Sequence, residues 1–284
     1  MSDINTYANE TAIAGLSPIN GDLVLNQDNN SLYLCTNADA SGLARWKTFA
    51  NDGAVTPSFS NTYSVKIDDT DDNGSADLEG TDVMSGDFTL SMWLKAGADS
   101  MHTIAQNNYT NTGAGWGLLR FTGNKMAIYQ YLPNGYLTGI AYPGVVTTMQ
   151  NDEWTHIMLA RASNTLSLYV NGTSVGSATT STDYGFKELI LNGNYKSTGN
   201  SFYDEVAIWS SDQSSNISQI RNTSEGNPIP GDLGAMSTKP TYWWRMGDDD
   251  GAGATTITNN SAATGGALSL NLNNGALLAT DVAV

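Results

Sequence analysis

The sequence predicts an all-β protein, an antiparallel sandwich or barrel, on three observations. Short segments alternate apolar and polar residues with a period of two, the mark of a half-buried strand. Turn signals rich in Gly and Asn separate them at short intervals. Helical patterns do not alternate with the strands, which argues against an α/β fold. The clearest stretch is 154–178. There Leu166, Leu168 and Val170 alternate with Ser167, Tyr169 and Asn171, and Asn171-Gly172 supplies the two positive-φ positions of a type I′ hairpin. Residues 154–161 carry apolar side chains on both faces, which suits a more central strand. The unit is a three-stranded meander against which the rest of the chain should pack.

Taken in order, residues 1–52 read as a separate small module: a strand at 21–25 (GDLVL), a return strand at 31–35 (SLYLC) and a third at 44–49 (ARWKTF). Its apolar residues are few, so its stability calls for a partner surface or for oligomerisation, a trimer being one such arrangement. Cys35, the single cysteine, reads as a small buried hydrophobe. Gly and Pro make 51–59 a linker. Strands follow at 63–67, 88–95, 117–121, 125–131 and 136–142, then the meander, then 188–191 and 201–209. In 88–95, Phe88, Leu90, Met92 and Leu94 share one face. Asp212 is placed to cap one short helix over 213–221. A Gly/Pro connector at 226–240 leads to an aromatic strand at 242–246 (YWWRM), with weak strands near Thr256 and at 268–272.

Composition excludes several classes. With 12 basic against 28 acidic residues and a net charge of −16, the chain lacks the clustered cations that bind phosphate, so no nucleic-acid partner is expected. Charged residues make up only 14%, and Asn, Ser, Thr and Gly coat the surface instead, as in secreted or virion-exposed β proteins. One cysteine permits no internal disulfide and no multi-cysteine metal site. Residues 1–15 lack the basic start and apolar run of a signal peptide, and no apolar run approaches the ~20 residues of a membrane span, so no membrane insertion is expected.

The residues that carry chemistry are few. His102 falls in a loop, and His156 lies in the 154–161 strand, where a packed, hydrogen-bonded role is expected. Asp204 and Glu205 are adjacent, so on a regular strand they point to opposite faces. Asp204 shares the parity of Val206 and Ile208, which turns it inward, where a carboxylate needs partners. The acidic loop 68–77 (DDTDDNGSAD) is rich in the oxygen donors of which calcium takes about six to eight. Tyr109, Trp116, Tyr131, Tyr136 and Tyr142 lie in or beside Gly/Asn-rich loops, from which aromatic rings either stack on sugars or make ordinary rim contacts.

Four local patterns resemble the concanavalin A-like, laminin-G-type jelly roll: YSVKIDD from Tyr63, FTLSMWLK from Phe88, WTHIMLAR with LSLYVNG from Trp154, and YDEVAIW from Tyr203 followed by a short helix. Their order and spacing carry the resemblance over about half the chain. In that family, segments like 242–275 come before the opening strand, whereas here they come last. The resemblance therefore implies a circular permutation in which 241–284 fill the first-strand slot of a domain spanning 53–284; the rival reading is a truncated second repeat. It also implies calcium ligands at Asp68, Asp69 and Asp204, against the alternative that Asp204 caps loop amides without a metal.

The fold family includes β-glucanases, whose carboxylates follow an E-x-D-x-E pattern on one strand face and flank the bond they cleave. This chain has six Glu, and none sits in such a pattern, so no catalytic residue is assigned. Candidate glycan contacts are Trp116, Tyr109, Tyr131 and Tyr136. The N-terminal G-D strand, turn and aromatic strand, with the C-terminal arrangement, resemble structural proteins of marine tailed phages. The reading this implies is a non-enzymatic virion protein at the particle surface, as capsid decoration or tail component. Its partners would be other virion proteins, sister copies and host surface glycan. A tail-fibre subunit specific for host glycan is the alternative, and a glycan hydrolase a third.

Overall fold

The structure, a computed structural model, describes residues 5–7, 23–26, 31–35, 46–48, 61–67, 73–77, 86–97, 102–106, 115–121, 125–131, 137–141, 149–179, 188–192, 200–223, 229–260 and 262–283. The chain divides into two compact units, Met1–Ser60 and Asn61–Val284.

The first unit holds four short strands, β1 (Asn5–Tyr7), β2 (Leu23–Asn26), β3 (Ser31–Cys35) and β4 (Trp46–Thr48), in the order β1-β2-β3-β4. β2, β3 and β4 form the antiparallel series the sequence predicts. β1, three residues without alternation, adds in parallel to β2 and had no sequence signal. Val24 and Cys35 are buried, and Cys35 is in no disulfide.

The second unit is a sandwich of two antiparallel sheets, which decides between sandwich and barrel. Its strands are β5 (Ser64–Ile67), β6 (Asn73–Asp77), β7 (Phe88–Ala96), β8 (His102–Gln106), β9 (Gly115–Phe121), β10 (Lys125–Tyr131), β11 (Leu137–Ala141), β12 (Trp154–Ala162), β13 (Thr165–Val170), β14 (Thr173–Thr179), β15 (Glu188–Leu191), β16 (Ser201–Trp209), β17 (Tyr242–Trp244), β18 (Thr256–Ile257), β19 (Leu270–Asn273) and β20 (Leu277–Ala279). One sheet runs β14-β13-β12-β7-β16-β5-β20, with β17 also pairing with β16; the other runs β11-β10-β9-β8-β15-β6-β19-β18. The meander is the β12-β13-β14 edge of the first sheet, and Asn171 and Gly172 both adopt positive φ. Two expectations need correction. Half of the supposed acidic loop is strand β6, because β15 and β19 flank it and take up its backbone groups. His102 is not in a loop but opens β8, opposite Arg120.

Alternation fills the space between the sheets. Phe88, Leu90, Met92, Leu94 and Ala96 of β7 enter it beside Ile157 and Leu159 of β12, Leu166, Leu168 and Val170 of β13, and Tyr203, Val206 and Ile208 of β16. The C-terminal segment supplies strands to both sheets: β17 and β20 to the first, β19 and β18 to the second. Tyr242 and Trp244 lie in this core with their rings stacked at 5.7 Å.

The first sheet also has its far face covered. Trp93, His156, Met158, Ala207, Trp209 and Trp243 are buried but stand on the strand positions that alternate away from the core. The chain after β16 returns across them. Asp212 accepts a hydrogen bond from the Ser214 amide, but the cap of the 3-10 turn (Ser214–Asn216) is Gln213, one residue later than expected; the turn passes into a one-turn helix, α1 (Ile217–Ile220), shorter than the sequence suggests. The Gln213 amide donates to Thr89 Oγ1, and Trp209 Nε1 donates to the Thr238 carbonyl, tying the connector down. Ile220, Leu233 and Met236 are buried in this layer.

Removing a fully buried tryptophan leaves a cavity that costs about 3–5 kcal/mol. Trp244→Ala should lower the unfolding free energy by that amount in urea titrations, whereas Lys239→Ala, at an exposed position, should change it by no more than about 0.5 kcal/mol.

Candidate functional site

The carboxylates of β16 do not sit where simple alternation puts them. The ladder with β7 slips between Asp204 and Ala207, and Glu205 takes φ +45°, a β-bulge. Tyr203 pairs with Leu94 and faces the core; Asp204 pairs with Trp93, on the opposite face. Beyond the bulge Val206 and Ile208 face the core again. The extra residue thus puts Asp204 and Glu205 between two core positions. The inward orientation expected for Asp204 is wrong, and the opposite-face geometry expected for the pair does not hold. Both are nonetheless buried, beneath the ends of the sandwich segment.

Asp204 Oδ2 accepts hydrogen bonds from Asn61 Nδ2 at 2.8 Å and from the Ala283 amide at 3.0 Å. Asn61 Nδ2 also donates to the Ala283 carbonyl. Glu205 accepts from Trp243 Nε1 and from Arg245 Nε, the latter at 3.3 Å. Arg245 Nη2 donates to Asp248 Oδ2 at 3.1 Å, and Asp248 Oδ1 accepts from the Thr62 and Tyr63 amides. Burial pushes Asp204 up to about 7, the hydrogen bonds from Asn61 and Ala283 opposing and Asp248 adding. Burial likewise raises Glu205 well above the usual carboxylate range; Asp204 adds to the rise and Arg245 opposes it.

His156 is fully buried. Its Nε2 lies 2.8 Å from Ser91 Oγ and its ring packs at 5.3 Å from Trp93, in agreement with the packed role expected for it. No carboxylate completes a relay among the described residues at this pair. Burial, and then the Arg221 guanidinium, hold the imidazole down to about 3.

The other candidates are placed as follows. Asp68 and Asp69 lie outside the described residues, as do Tyr109, Tyr136 and Tyr142. Trp116 is in β9 opposite Gln130, and Tyr131 is in β10 opposite Gly115, so both stand at one end of the same hairpin. Among the described residues, no group of three or more His, Cys, Asp or Glu is disposed to hold a metal ion. One surface cluster had no sequence signal. Lys95 Nζ contacts Asp281 Oδ2 at 2.6 Å and lies 5.6 Å from the Phe202 ring, and Trp154 Nε1 donates to Asp281 Oδ1. Register alone could have grouped Trp154, Lys95 and Phe202, which pair across β12, β7 and β16; Asp281 arrives from the far end of the chain.

A family model described as the concanavalin A-like lectin/glucanases superfamily, laminin-G type, matches residues 68–216. No curated protein matches the chain. Among solved structures, the chain is similar to a putative carbohydrate binding protein from Bacteroides ovatus, with 15% identity, 78% of this chain and 61% of that one covered, and a TM-score of 0.51. It is also similar to the binding domain of botulinum neurotoxin serotype D, at 14% identity, with 61% and 52% covered and a TM-score of 0.44. A third is the Ruminococcus gnavus IT-sialidase CBM40 bound to α2,3-sialyllactose, at 12% identity, with 56% and 96% covered and a TM-score of 0.40. The chain spans about half to three fifths of the first two. At these identities the likeness is one of fold.

The buried imidazole has a stability consequence. His156 binds its proton less readily in the folded state than in the unfolded chain, where it titrates near 6.5. Its contribution is therefore complete above about pH 6.5 and is lost as pH falls toward 3, at up to about 1.4 kcal/mol per pH unit. In urea titrations between pH 6 and 4, the difference in unfolding free energy between the native protein and His156→Gln should shrink at that rate.

Proposed function

Because the chain belongs to the concanavalin A-like lectin/glucanase superfamily, we propose that it is a non-enzymatic, lectin-like adhesion or reinforcement protein displayed on the surface of a tailed-phage virion. The observation that carries the non-enzymatic half is the state of the β16 carboxylates. Asp204 and Glu205 are buried, and their hydrogen bonds hold other segments of the chain, so neither is presented to a sugar. A glycosidase needs two carboxylates flanking an open cleft. His156 offers no substitute, since it is enclosed and neutral.

Contacts with a glycan then fall to the rim, where Trp116 and Tyr131 occupy one end of the β9–β10 hairpin. The likeness of the fold to a putative carbohydrate binding protein agrees with this reading. Virion display rests on the resemblance of the N-terminal pattern to phage attachment modules. In this reading the small four-stranded unit docks to other virion proteins or to sister copies, and the sandwich engages host surface glycan. Residues 241–284 act as the permuted first-strand segment, consistent with β17, β19 and β20 lying in the two sheets. Calcium at Asp68, Asp69 and Asp204 belongs to the same proposal; Asp204 can join only by exchanging its present partners, Asn61 and the Ala283 amide.

The purified protein should bind host surface polysaccharide without cleaving it, and Trp116→Ala should weaken binding at least about tenfold, roughly 1.4 kcal/mol. Release of shortened sugars would overturn the non-enzymatic reading. Binding indifferent to Trp116, or no binding at all, would remove the glycan contact. Labelling intact particles, with copy number counted, tests the virion location separately.

A further inference from the structure

The layer that covers the far face of the first sheet stops short of one end. Trp93 and His156 are buried beneath it, but the next row along the strands is partly exposed. In that row Trp154 of β12 stands opposite Lys95 of β7, and Lys95 opposite Phe202 of β16. Phe202 is opposite Lys66 of β5, and Lys66 is opposite Leu277 of β20. All five alternate with positions that pack into the core, so they share the far face. Leu277 is 48% exposed. Four strand spacings separate the ends of the row, about 19 Å.

The side chains of this row hold one another in place. Asp281 accepts from Lys95 Nζ at 2.6 Å through one oxygen and from Trp154 Nε1 at 3.1 Å through the other. Its backbone carbonyl accepts from Ser64 Oγ. The Trp154 and Phe202 rings meet edge to face at 6.5 Å, and Lys95 Nζ lies 5.6 Å from the Phe202 ring. An exposed ion pair adds little to stability, whereas rings already fixed at a surface reduce the ordering cost of binding something against them.

The chemistry of the row selects the ligand. Aromatic rings offer apolar faces to the C–H groups of a sugar ring. A lysine–aspartate pair suits neighbouring hydroxyls, the ammonium donating to one and the carboxylate accepting from the other. Lys66 and Lys95 place two of the chain's 12 basic residues on either side of one aromatic ring, in a chain of net charge −16. These side chains carry two ammonium groups and one carboxylate, so a ligand bearing a carboxylate complements them.

We propose that this row is a second carbohydrate surface, which takes uronate-bearing oligosaccharides laid across the strands. Trp154 and Phe202 lie under the sugar rings, Lys95 and Asp281 meet hydroxyls, and Lys66 faces a uronate carboxylate. The proposal rests on the reading of the protein as a glycan binder and adds to it a place and a substrate class.

The test is isothermal titration of the full chain with oligogalacturonate and with hyaluronan oligosaccharide, each also with its carboxylates methyl-esterified. At least one uronate should bind, at least about tenfold more tightly than its ester. Lys66→Gln and Phe202→Leu should each weaken that binding at least about fivefold, and either serves if the other does not fold. Trp116→Ala, measured beside them, tells the two surfaces apart. Uronate binding lost in the row variants and intact in Trp116→Ala sustains this proposal and removes the rim as the contact for that ligand. Binding lost in Trp116→Ala and intact in both row variants overturns the proposal and leaves the rim reading standing. Equal affinity for the esters overturns it as well. So does binding of neither uronate, which overturns the glycan reading too only if host polysaccharide is also unbound. Self-association in sedimentation that Lys66→Gln abolishes also overturns it, since a second copy is then what covers the row.

Discussion

Strand β16 is the constraint on which the sandwich depends. It pairs with β7 along its length on one side. On the other side it meets two strands end to end, β5 near its start and β17 near its finish. Those two strands come from opposite ends of the sandwich segment, so one strand joins the beginning and the end of the fold. Its alternating face fills the core with Tyr203, Val206 and Ile208, and its far face anchors Trp209 to the connector that covers it.

The bulge gives this strand a second use. A regular strand would have separated Asp204 from Glu205 by a full sheet thickness. One additional residue brings both in beside Trp93, Trp243 and residues 61 and 283, where a side-chain amide, a backbone amide, an indole and a guanidinium receive them. Paired carboxylates that serve catalysis in an exposed cleft here hold remote segments together. The neutral His156 and its Ser91 partner repeat the pattern on the same face.

Much of the fold was legible because its strands announce themselves. Phe88, Leu90, Met92 and Leu94, the 166–170 alternation and the Asn171-Gly172 turn need no tertiary information. β6 is different: Asn-Gly-Ser-Ala-Asp has no apolar pattern and is a strand only because β15 and β19 accept it. β1 and β20, three residues each, are likewise defined by their neighbours. The acid pair was visible in the sequence, but its partners were not. Asn61 is 143 positions from Asp204, and Thr62 is 186 from Asp248, so no local window could connect them. The parity error at Asp204 has the same origin, since a bulge is a property of the pairing rather than of either strand alone.

The hydrogen bond between Asn61 and Ala283 brings the two extremities of the sandwich side by side. β5 and β20 run antiparallel away from that point, with Ser64 opposite Ala279 and Lys66 opposite Leu277. Tension applied between the extremities would meet these pairs in succession, opening them like a zip instead of shearing them all together. Anchored through residue 61 with 283 left unloaded, the same ladder carries no such peeling force. The mechanical strength of the sandwich therefore depends on which of its adjoining ends bears the load.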